Sequence, residues 1–391
     1  MSADGRCGVD DPPEVAWLLC LASLPRMGPR RLDGLVAGRD PASVWSDIVA
    51  GARRVDAEVI RRCGAEWTAV RTGWVTAAQG VDPASVWEAH RGRAVLDRTG
   101  AGFPARLVDD PEPPAFLVVE GTLPEHEPVV SIVGTRRCTG YGRDVARSLG
   151  RDLAEAGVVV ASGLALGIDA AAHTGALEVD GAPPLGVVAT GLDLVYPARN
   201  RHLWEQVAAR GALMSEHPLG TAPTRWRFPA RNRILAGMAD AVVVVESHAG
   251  GGSMHTVASA LDRDVPVLAI PGPVTSPASA GTNRLLVDGA VPVRDVDDVL
   301  TVLGLSGRRR AASMAADPAR VEVPEAGLVV LGALDATPTT VDTVALRTGR
   351  PLRALHAELV ELERRGLAAQ EAGWWRVSPL GQLAAAVESP S

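Results

Sequence analysis

Apolar positions follow two different periodicities along the chain. Between residues 129 and 271, short apolar runs alternate with amphipathic stretches, which is the pattern of a parallel sheet covered by helices on both faces. The runs predicted as strands are VVSIVG, VVVAS, LGVVAT, ALMSE, AVVVVE and PVLAIP, and the helices between them include RDVARSLGRDLAEAG and RHLWEQVAARG. This alternation predicts an α/β fold, a Rossmann-like doubly wound parallel sheet, whose loops beyond the carboxyl ends of the strands bind ligands.

The region before the sheet has helical periodicity. The stretches EVAWLLCLASL and RRLDGLVAG flank a turn from Pro25 to Pro29, which predicts a small helical domain of the helix-hairpin-helix or SAM-like type over residues 1–95. Such a turn can present backbone N–H groups to a DNA phosphate, but helix pairs joined by Gly-Pro turns are also common packing units. The connector GFPARLVDDPEPPAFLVVEGTLP then leads into a sheet domain predicted over residues 96–305.

The region after the sheet predicts a linker and a winged helix. Residues 306–325 are rich in Ala, Arg and Pro, as linkers are, and residues 326–391 give three helical patterns followed by the β-like end LAAQEAGWWRVS. The third helix of a winged helix often binds DNA. Here it mixes acids with arginines, so contact with protein is at least as plausible as contact with DNA: Glu358, Glu361, Glu363, Arg353, Arg364 and Arg365.

Composition narrows the chemistry. The chain of 391 residues has no lysine, so a Walker A loop and Schiff-base catalysis are both excluded. A net charge of −7 gives no general affinity for nucleic acid, so any DNA-binding surface must be local and built from arginine. The four cysteines form no C-x-x-C pair, which argues against a disulfide framework and a cysteine zinc site: Cys7, Cys20, Cys63 and Cys138. We expect no metal and no cofactor.

Targeting signals are absent from the pattern. No apolar stretch reaches the roughly 18 to 20 residues of a membrane helix, and the N-terminus MSADGRCGVDDPPE lacks the layout of a signal peptide. We therefore expect a cytoplasmic protein with no membrane insertion.

The first loop that could carry function follows VVSIVG. Gly134, Thr135, Arg136 and Arg137 precede a helix, so backbone N–H groups there can converge on an anion such as a phosphate. The spacing is not G-x-G-x-x-G, and no clean ribose-binding acid lies about 20 residues on, which disfavours a dinucleotide. A tight turn with solvated arginines is the structural alternative.

The next glycine loop follows VVVAS. Gly163 and Gly167 offer a similar cradle, and Asp169 either caps the following helix or organises a ligand pocket. His173 lies one turn later and is interpreted as a packing residue, because a lone histidine is more often that than a base.

A further cradle follows AVVVVE. Gly252 and Ser253 lie in the glycine run SHAGGGSM, before a helix that begins near His255. The stretch GPVTSPASAGTNRLL after the last strand predicts a long functional loop, in which Asn283 and Arg284 could close the site.

The most specific signal lies between residues 224 and 233. This stretch, TRWRFPARNR, holds four arginines and two aromatic residues without an acid. Arginine pairs with phosphate, and aromatic faces stack on unpaired bases, so the pattern favours single-stranded nucleic acid over duplex. The alternative is that Phe228 packs in the core beneath a solvated arginine rim. The residues proposed to bind DNA are Arg225, Phe228, Arg231, Asn232 and Arg233.

The ordered motifs resemble the DprA/Smf family of DNA-processing proteins over about residues 100–300. They are Gly134-Thr135-Arg136-Arg137, SGLALGIDAAAH, TGLDLVYPARN, FPARNRILAG, GGGSMHTVASA and PGPVTSPASAGTNRLL. Two positions depart from the family pattern: Thr135 replaces a serine, and Leu166 replaces an arginine that could touch DNA.

The resemblance implies a pocket at the strand ends that holds a few nucleotides of single-stranded DNA. Its phosphates would meet Gly134, Thr135 and Arg136, and Phe228 would stack on a base, with Arg225, Arg231 and Asn232 nearby. It also implies a homodimer formed through the sheet domain, loading of RecA recombinase on incoming DNA during natural transformation, and no catalytic step.

Two other functions stay open. The loop between Glu246 and Thr256 is similar to the P-G-G-x-G-T loop of nucleotide phosphoribohydrolases, but it lacks the leading proline and the downstream glutamate, with Ala258, Ser259 and Ala260 in that helix. The third possibility is a nucleotide-sensing regulator whose winged helix binds duplex DNA.

Overall fold

A computed structural model of the chain describes residues 13–51, 66–305, 325–334, 338–365, 367–371 and 373–378. Cys7, Cys63 and almost all of the predicted linker lie outside these residues. The chain forms two compact units, residues 1–138 with 146–308, and residues 139–145 with 309–391. The domain boundaries drawn from the sequence stay predictions.

The helices before the sheet share one core with it. They are α1 (Glu14–Ser23), α2 (Pro29–Val36), α3 (Pro41–Val49), α4 (Trp67–Ala78) and α5 (Pro83–Ala89). Proline at the first position starts α2, α3 and α5, and Asp40 and Asp82 cap α3 and α5 by accepting backbone N–H groups. Leu19 and Trp74 lie in the same buried cluster as Phe116 of the sheet.

The sheet has nine strands in the described part of the chain. They are β1 (Ala94–Asp97), β2 (Phe116–Gly121), β3 (Val129–Val133), β4 (Val159–Ser162), β5 (Leu185–Val187), β6 (Ala212–Ser215), β7 (Ala241–Val244), β8 (Val267–Ala269) and β9 (Val291–Pro292). Their order is β1-β2-β6-β5-β4-β3-β7-β8-β9. Strands β3 to β9 are mutually parallel, whereas β2 pairs antiparallel with β6 and with β1.

Helices cover this sheet and connect its parallel strands. They are α6 (Ala105–Val108), α7 (Gly140–Glu155), α8 (Ile168–Ala176), α9 (Arg201–Arg210), α10 (Arg227–Met238), α11 (Ser253–Leu261), α12 (Ala280–Val287) and α13 (Val296–Val302). From β3 the chain adds β4, β5 and β6 on one side, then returns to add β7, β8 and β9 on the other. This topology confirms the predicted doubly wound fold, with its switch point between β3 and β7.

One stretch differs from its prediction. The expected loop GPVTSPASAGTNRLL becomes helical at Ala280, so the prediction of a continuous loop was wrong. The helix is fixed by tertiary contacts, since the Gly281 N–H donates to the Ser247 carbonyl at 2.7 Å. Asn283 Nδ2 donates to the Gly272 carbonyl at 3.0 Å, and Arg284 Nε lies 2.9 Å from Asp288 Oδ2. Both side chains are therefore engaged in local contacts, and their closing of the site stays a prediction.

The C-terminal unit confirms the predicted winged helix. It contains α14 (Glu325–Ala333), α15 (Val341–Thr348), α16 (Leu352–Arg364), β10 (Ala368–Glu371) and β11 (Trp374–Val377), and the two strands pair antiparallel. Leu355, Leu359 and Leu362 recur at helical spacing on α16 and pack with Trp375 in a separate core. Across both units, none of the described helices has the length and apolar character needed to cross a membrane.

Candidate nucleic-acid interface

A cavity of about 590 Å³ opens where β3 and β7 end, at the switch point of the sheet. We call this cavity the pocket. Its wall comes from the loops after β3, β4, β5, β6 and β7 and from α10 and α11. Nine predicted site residues line it: Gly134, Thr135, Arg136, Arg225, Phe228, Arg231, Asn232, Gly252 and Ser253.

Two aromatic rings meet on one side of the pocket. Tyr196 and Phe228 have ring centroids 5.5 Å apart at an interplanar angle of 46°, and the guanidinium carbon of Arg136 lies 4.9 Å from the Phe228 centroid. Tyr196 is 41% exposed, and Phe228 is partly exposed, so neither ring is sealed in the core. The motif TGLDLVYPARN contains Tyr196, but sequence reasoning did not connect it with Phe228, because the two are distant along the chain.

Positive charge dominates the pocket. Arg136 and Arg225 are exposed, and within the described residues no carboxylate forms an ion pair with either. Arg231 is buried and holds the wall together: Nη1 donates to the carbonyls of Gly163, at 2.9 Å, and of Val187. Burial lowers the pKa of Arg231 to about 10, so it keeps its charge at neutral pH. Two exposed cations and one buried cation therefore line the pocket.

Asp169 organises the loop after β4. Its Oδ2 accepts the N–H groups of Gly163, at 3.1 Å, and of Ala165, at 3.4 Å, whereas the residue at the N-cap of α8 is Gly167. The capping role was therefore wrong, and the role in shaping the pocket wall is the one observed. Burial raises the pKa of Asp169, and the charge of Arg231 opposes that rise.

His173 does not line the pocket. It is fully buried on α8, and this burial lowers its pKa to about 4, so the ring is neutral at physiological pH. It serves packing, as the sequence indicated.

The glycines of the first two loops allow close packing. A Cβ at Gly134 would lie 2.5 Å from Ile168 Cγ1, and a Cβ at Gly163 would lie 2.3 Å from Arg231 Nη2. Gly167 has a φ of +82°, and its Cβ would lie 2.3 Å from the Thr135 carbonyl oxygen. The Thr135 N–H itself donates to the Glu246 carbonyl at 2.7 Å. These loops are thus locked to each other, and that N–H is not open to a phosphate.

The loop after β7 is more open. A Cβ at Gly252 would meet no atom within 4 Å, so the backbone there is accessible to a ligand. The Ser253 hydroxyl donates to Ser247 Oγ at 2.8 Å, and Ser247 Oγ donates in turn to the His248 carbonyl. Of the two residues predicted here, Gly252 faces the cavity freely and Ser253 shapes the start of α11.

Four predicted residues lie outside the pocket wall. Gly167 lies behind it in the packed loops, Gly163 lines a small recess next to it, and Arg137 is exposed beside it. Arg233 points to the opposite face of α10, where it forms a buried ion pair with Glu216. There it lines a second cavity of about 790 Å³, which we call the groove.

The departure at Leu166 falls beside the aromatic pair. Leu166 lines a recess of about 50 Å³ together with Arg136, Tyr196 and Phe228. An apolar side chain here extends the aromatic wall. Among the described residues, no group of three or more His, Cys, Asp or Glu side chains could hold a metal ion.

Comparison with known families gives the same assignment over most of the chain. A family model described as DNA recombination-mediator protein A matches residues 94–304, and a DprA winged helix domain model matches residues 314–373. A putative DNA processing protein DprA of Mycobacterium tuberculosis is 38% identical over 299 residues, covering 73% of this chain and 75% of that protein. Protein Smf of Escherichia coli is 32% identical over 337 residues, covering 84% and 89%.

A solved structure agrees with these relatives. The X-ray structure of DNA processing protein A from Streptococcus pneumoniae superposes with a TM-score of 0.60 at 27% identity, covering 73% of this chain and 95% of that one. Sequence, domain order and fold therefore lead to one conclusion: the chain belongs to the DNA recombination-mediator protein A family, also called DprA/Smf.

Proposed function

We propose that the protein binds single-stranded DNA in the pocket and acts as a recombination mediator that loads RecA recombinase on that DNA during DNA uptake. The observation that carries the proposal is the pair of accessible rings, Tyr196 and Phe228, beside the exposed arginines Arg136 and Arg225. Rings give each unpaired base a stacking surface, and guanidinium groups pair with the phosphates between bases.

The balance of charge supports an anionic ligand. Three arginines line the pocket in the described structure, against one carboxylate, Asp169, which is buried and already accepts two backbone N–H groups. Stacking does not depend on base identity, so we propose that the affinity depends little on DNA sequence.

The proposal assigns no catalytic step. The helix after the β7 loop carries Ala258 and Ser259 where a phosphoribohydrolase would need a carboxylate. Asp169, the carboxylate in the pocket wall, accepts hydrogen bonds from two loop amides and therefore has a structural role. Both facts favour a binding site over the hydrolase alternative.

We propose that the winged helix contacts another protein rather than the major groove of a DNA duplex. On α16, Glu361 accepts hydrogen bonds from Arg364, at 2.7 Å, and from Arg365, also at 2.7 Å, and these bonds lower the pKa of Glu361 to about 2. Glu358 pairs with Arg350 in the same way. Residues 352–365 carry three glutamates against three arginines, so this surface has no net positive charge to attract a duplex, which disfavours the duplex-binding regulator.

The remaining elements of the proposal concern assembly and place. We propose a homodimer formed through the sheet domain and a cytoplasmic location, where incoming single strands and RecA meet. RecA delivery is tested by the rate at which purified RecA forms filaments on single strands coated with the protein.

The binding step is tested by fluorescence anisotropy of a labelled oligonucleotide, single-stranded and duplex, across a salt series. We expect a preference for the single strand that weakens as salt rises. Equal binding of duplex, or displacement of the oligonucleotide by one mononucleotide at low concentration, would favour the sensor or the hydrolase instead.

A further inference from the structure

The groove lies directly beside the pocket and is larger. One wall comes from the turn between α1 and α2 and the start of α2, and the other comes from α10 and α11. Pro229 and His255 line both cavities, so the two share a rim. A flexible chain that leaves the pocket across this rim enters the groove.

Opposite faces of α10 serve the two cavities. Phe228 and Asn232 face the pocket, whereas Ala230 and Arg233 face the groove. Only the width of α10 separates the two sites, because residues at these spacings lie on different sides of a helix with 3.6 residues per turn.

The groove contains its own exposed aromatic ring. Trp226, at the N-cap of α10, is 44% exposed and lines the groove. Its ring packs against Gly28, where a Cβ would lie 3.4 Å away, and the Arg227 guanidinium carbon lies 4.9 Å from the ring centroid. The indole is thus held in place yet accessible, as a stacking surface for a base requires.

Arginines of the opposite wall supply positive charge. Arg26, Arg30 and Arg31 come from the turn and from the first turn of α2. Arg26 pairs with Glu66 with both side chains more than half exposed, and the Arg30 side chain is 74% exposed in its pair with Glu112. Such exposed pairs contribute little, so a phosphate can replace the carboxylate at low cost.

The arginines on the α10 and α11 wall are of a different kind. Arg233 is buried against Glu216, and Arg263 donates Nε to Asp110 Oδ2 at 2.6 Å in another buried pair. They hold the groove in shape and carry no free charge toward it. Phosphates would therefore run along the α2 wall and bases would face Trp226.

We propose that the groove binds the next segment of the same single strand that occupies the pocket, with a base stacked on Trp226 and phosphates at Arg26, Arg30 and Arg31. This inference rests on the proposed function. It assigns the helical hairpin before the sheet a direct part in DNA binding. A duplex does not fit the arrangement, because its paired bases are stacked on each other and leave no free face for Trp226.

The test compares oligothymidylates from about 4 to about 16 nucleotides, a range typical of single-strand site sizes. Short strands fill the pocket alone, and long strands reach the groove. We expect Trp226→Ala to weaken binding of long strands about fivefold or more, the lower end for one stacked base, and to leave short strands unaffected. Trp226→Phe should recover most of the loss, because it restores an aromatic face.

Arg31→Ala should flatten the salt dependence for long strands only. Its matched control is Arg91→Ala, since Arg91 is 74% exposed, pairs with Glu88 and lines neither cavity. Loss of short-strand binding in Phe228→Ala tests the pocket separately, so a failed groove and a failed pocket give different results.

Three outcomes would overturn the inference. Groove variants that bind every length like the parent would show that DNA does not enter the groove. Equal losses on short and long strands would place the effect in the pocket. Binding of polyglutamate to the parent but not to Arg31→Ala, with DNA binding unchanged, would assign the groove to an acidic peptide.

Discussion

Removing the Arg225 guanidinium should weaken single-strand binding by an amount set by counterion release. Arg225 lies on the exposed rim of the pocket, and no described carboxylate pairs with it, so its charge is available to a phosphate. Each phosphate contact on a single strand contributes about 0.7 to the slope of log affinity against log salt. Arg225→Ala should therefore flatten the slope by about 0.7 and weaken binding about fourfold near 0.15 M salt and about eightfold near 0.05 M.

The assay is anisotropy of one labelled single strand titrated at several salt concentrations, with the slope as the readout. Arg91→Ala is the control for a change in net charge, because Arg91 is exposed and lies away from the pocket. Phe228→Ala is the control for contact without charge. This variant should lose about 1 to 3 kcal/mol of binding free energy and leave the slope of log affinity against log salt unchanged. The loss is smaller by the amount that the contact between Phe228 and Arg136 contributed.

The slope of log affinity against log salt tests whether Arg225 contacts a phosphate. If Arg225→Ala and Arg91→Ala flattened it equally, the effect would be long-range charge, and the assignment of a phosphate to Arg225 would be wrong. If Phe228→Ala altered the slope as much as Arg225→Ala, the division into stacking and phosphate contacts would fail.

Three further predictions concern the scaffold. Asp110→Ala should lower the free energy of unfolding by about 3 to 5 kcal/mol in urea titrations, because it leaves the buried Arg263 unpaired; a cost below about 1 kcal/mol would contradict this. Gly134→Ala should lower both stability, by about 1 to 3 kcal/mol, and strand affinity, whereas Gly250→Ala, where a Cβ meets nothing within 4 Å, should alter stability little in the same titration. Burial lowers the pKa of His217 to about 3, below its unfolded value of about 6.5. As pH falls through that window, this residue therefore favours unfolding by up to about 1.4 kcal/mol per pH unit. His217→Asn should flatten the slope of unfolding free energy against pH by that amount, and an unchanged slope would refute the assignment.

The sheet could be predicted from the sequence because its strands are buried on both faces. Every residue of β3, β4, β6 and β7 is buried, so each strand appears as a mainly apolar run in which serine is the only polar residue. Helix α12 was missed for the opposite reason. Its segment carries Gly, Thr and Asn, and its helical state depends on contacts with the β7 loop that no local pattern reveals.

The residue types of the site were predicted, but the faces of α10 on which they lie were not. The arginines between residues 224 and 233 were treated as one basic cluster, yet α10 sends Arg231 into the pocket wall and Arg233 to the other face. Helical spacing could have separated these faces. The neutralising partner Glu216 and the stacking partner Tyr196 could not have been found, because both come from distant segments.

Position-specific cross-linking tests the central claim most directly. A single strand carrying 5-iodouracil, which cross-links to aromatic side chains under ultraviolet light, is bound to the full chain, irradiated and mapped by peptide mass spectrometry. We predict cross-links at Phe228 or Tyr196, the two rings that meet in the pocket. Cross-links confined to the winged helix, at the exposed Trp374, would contradict the account and place the DNA site in the C-terminal unit.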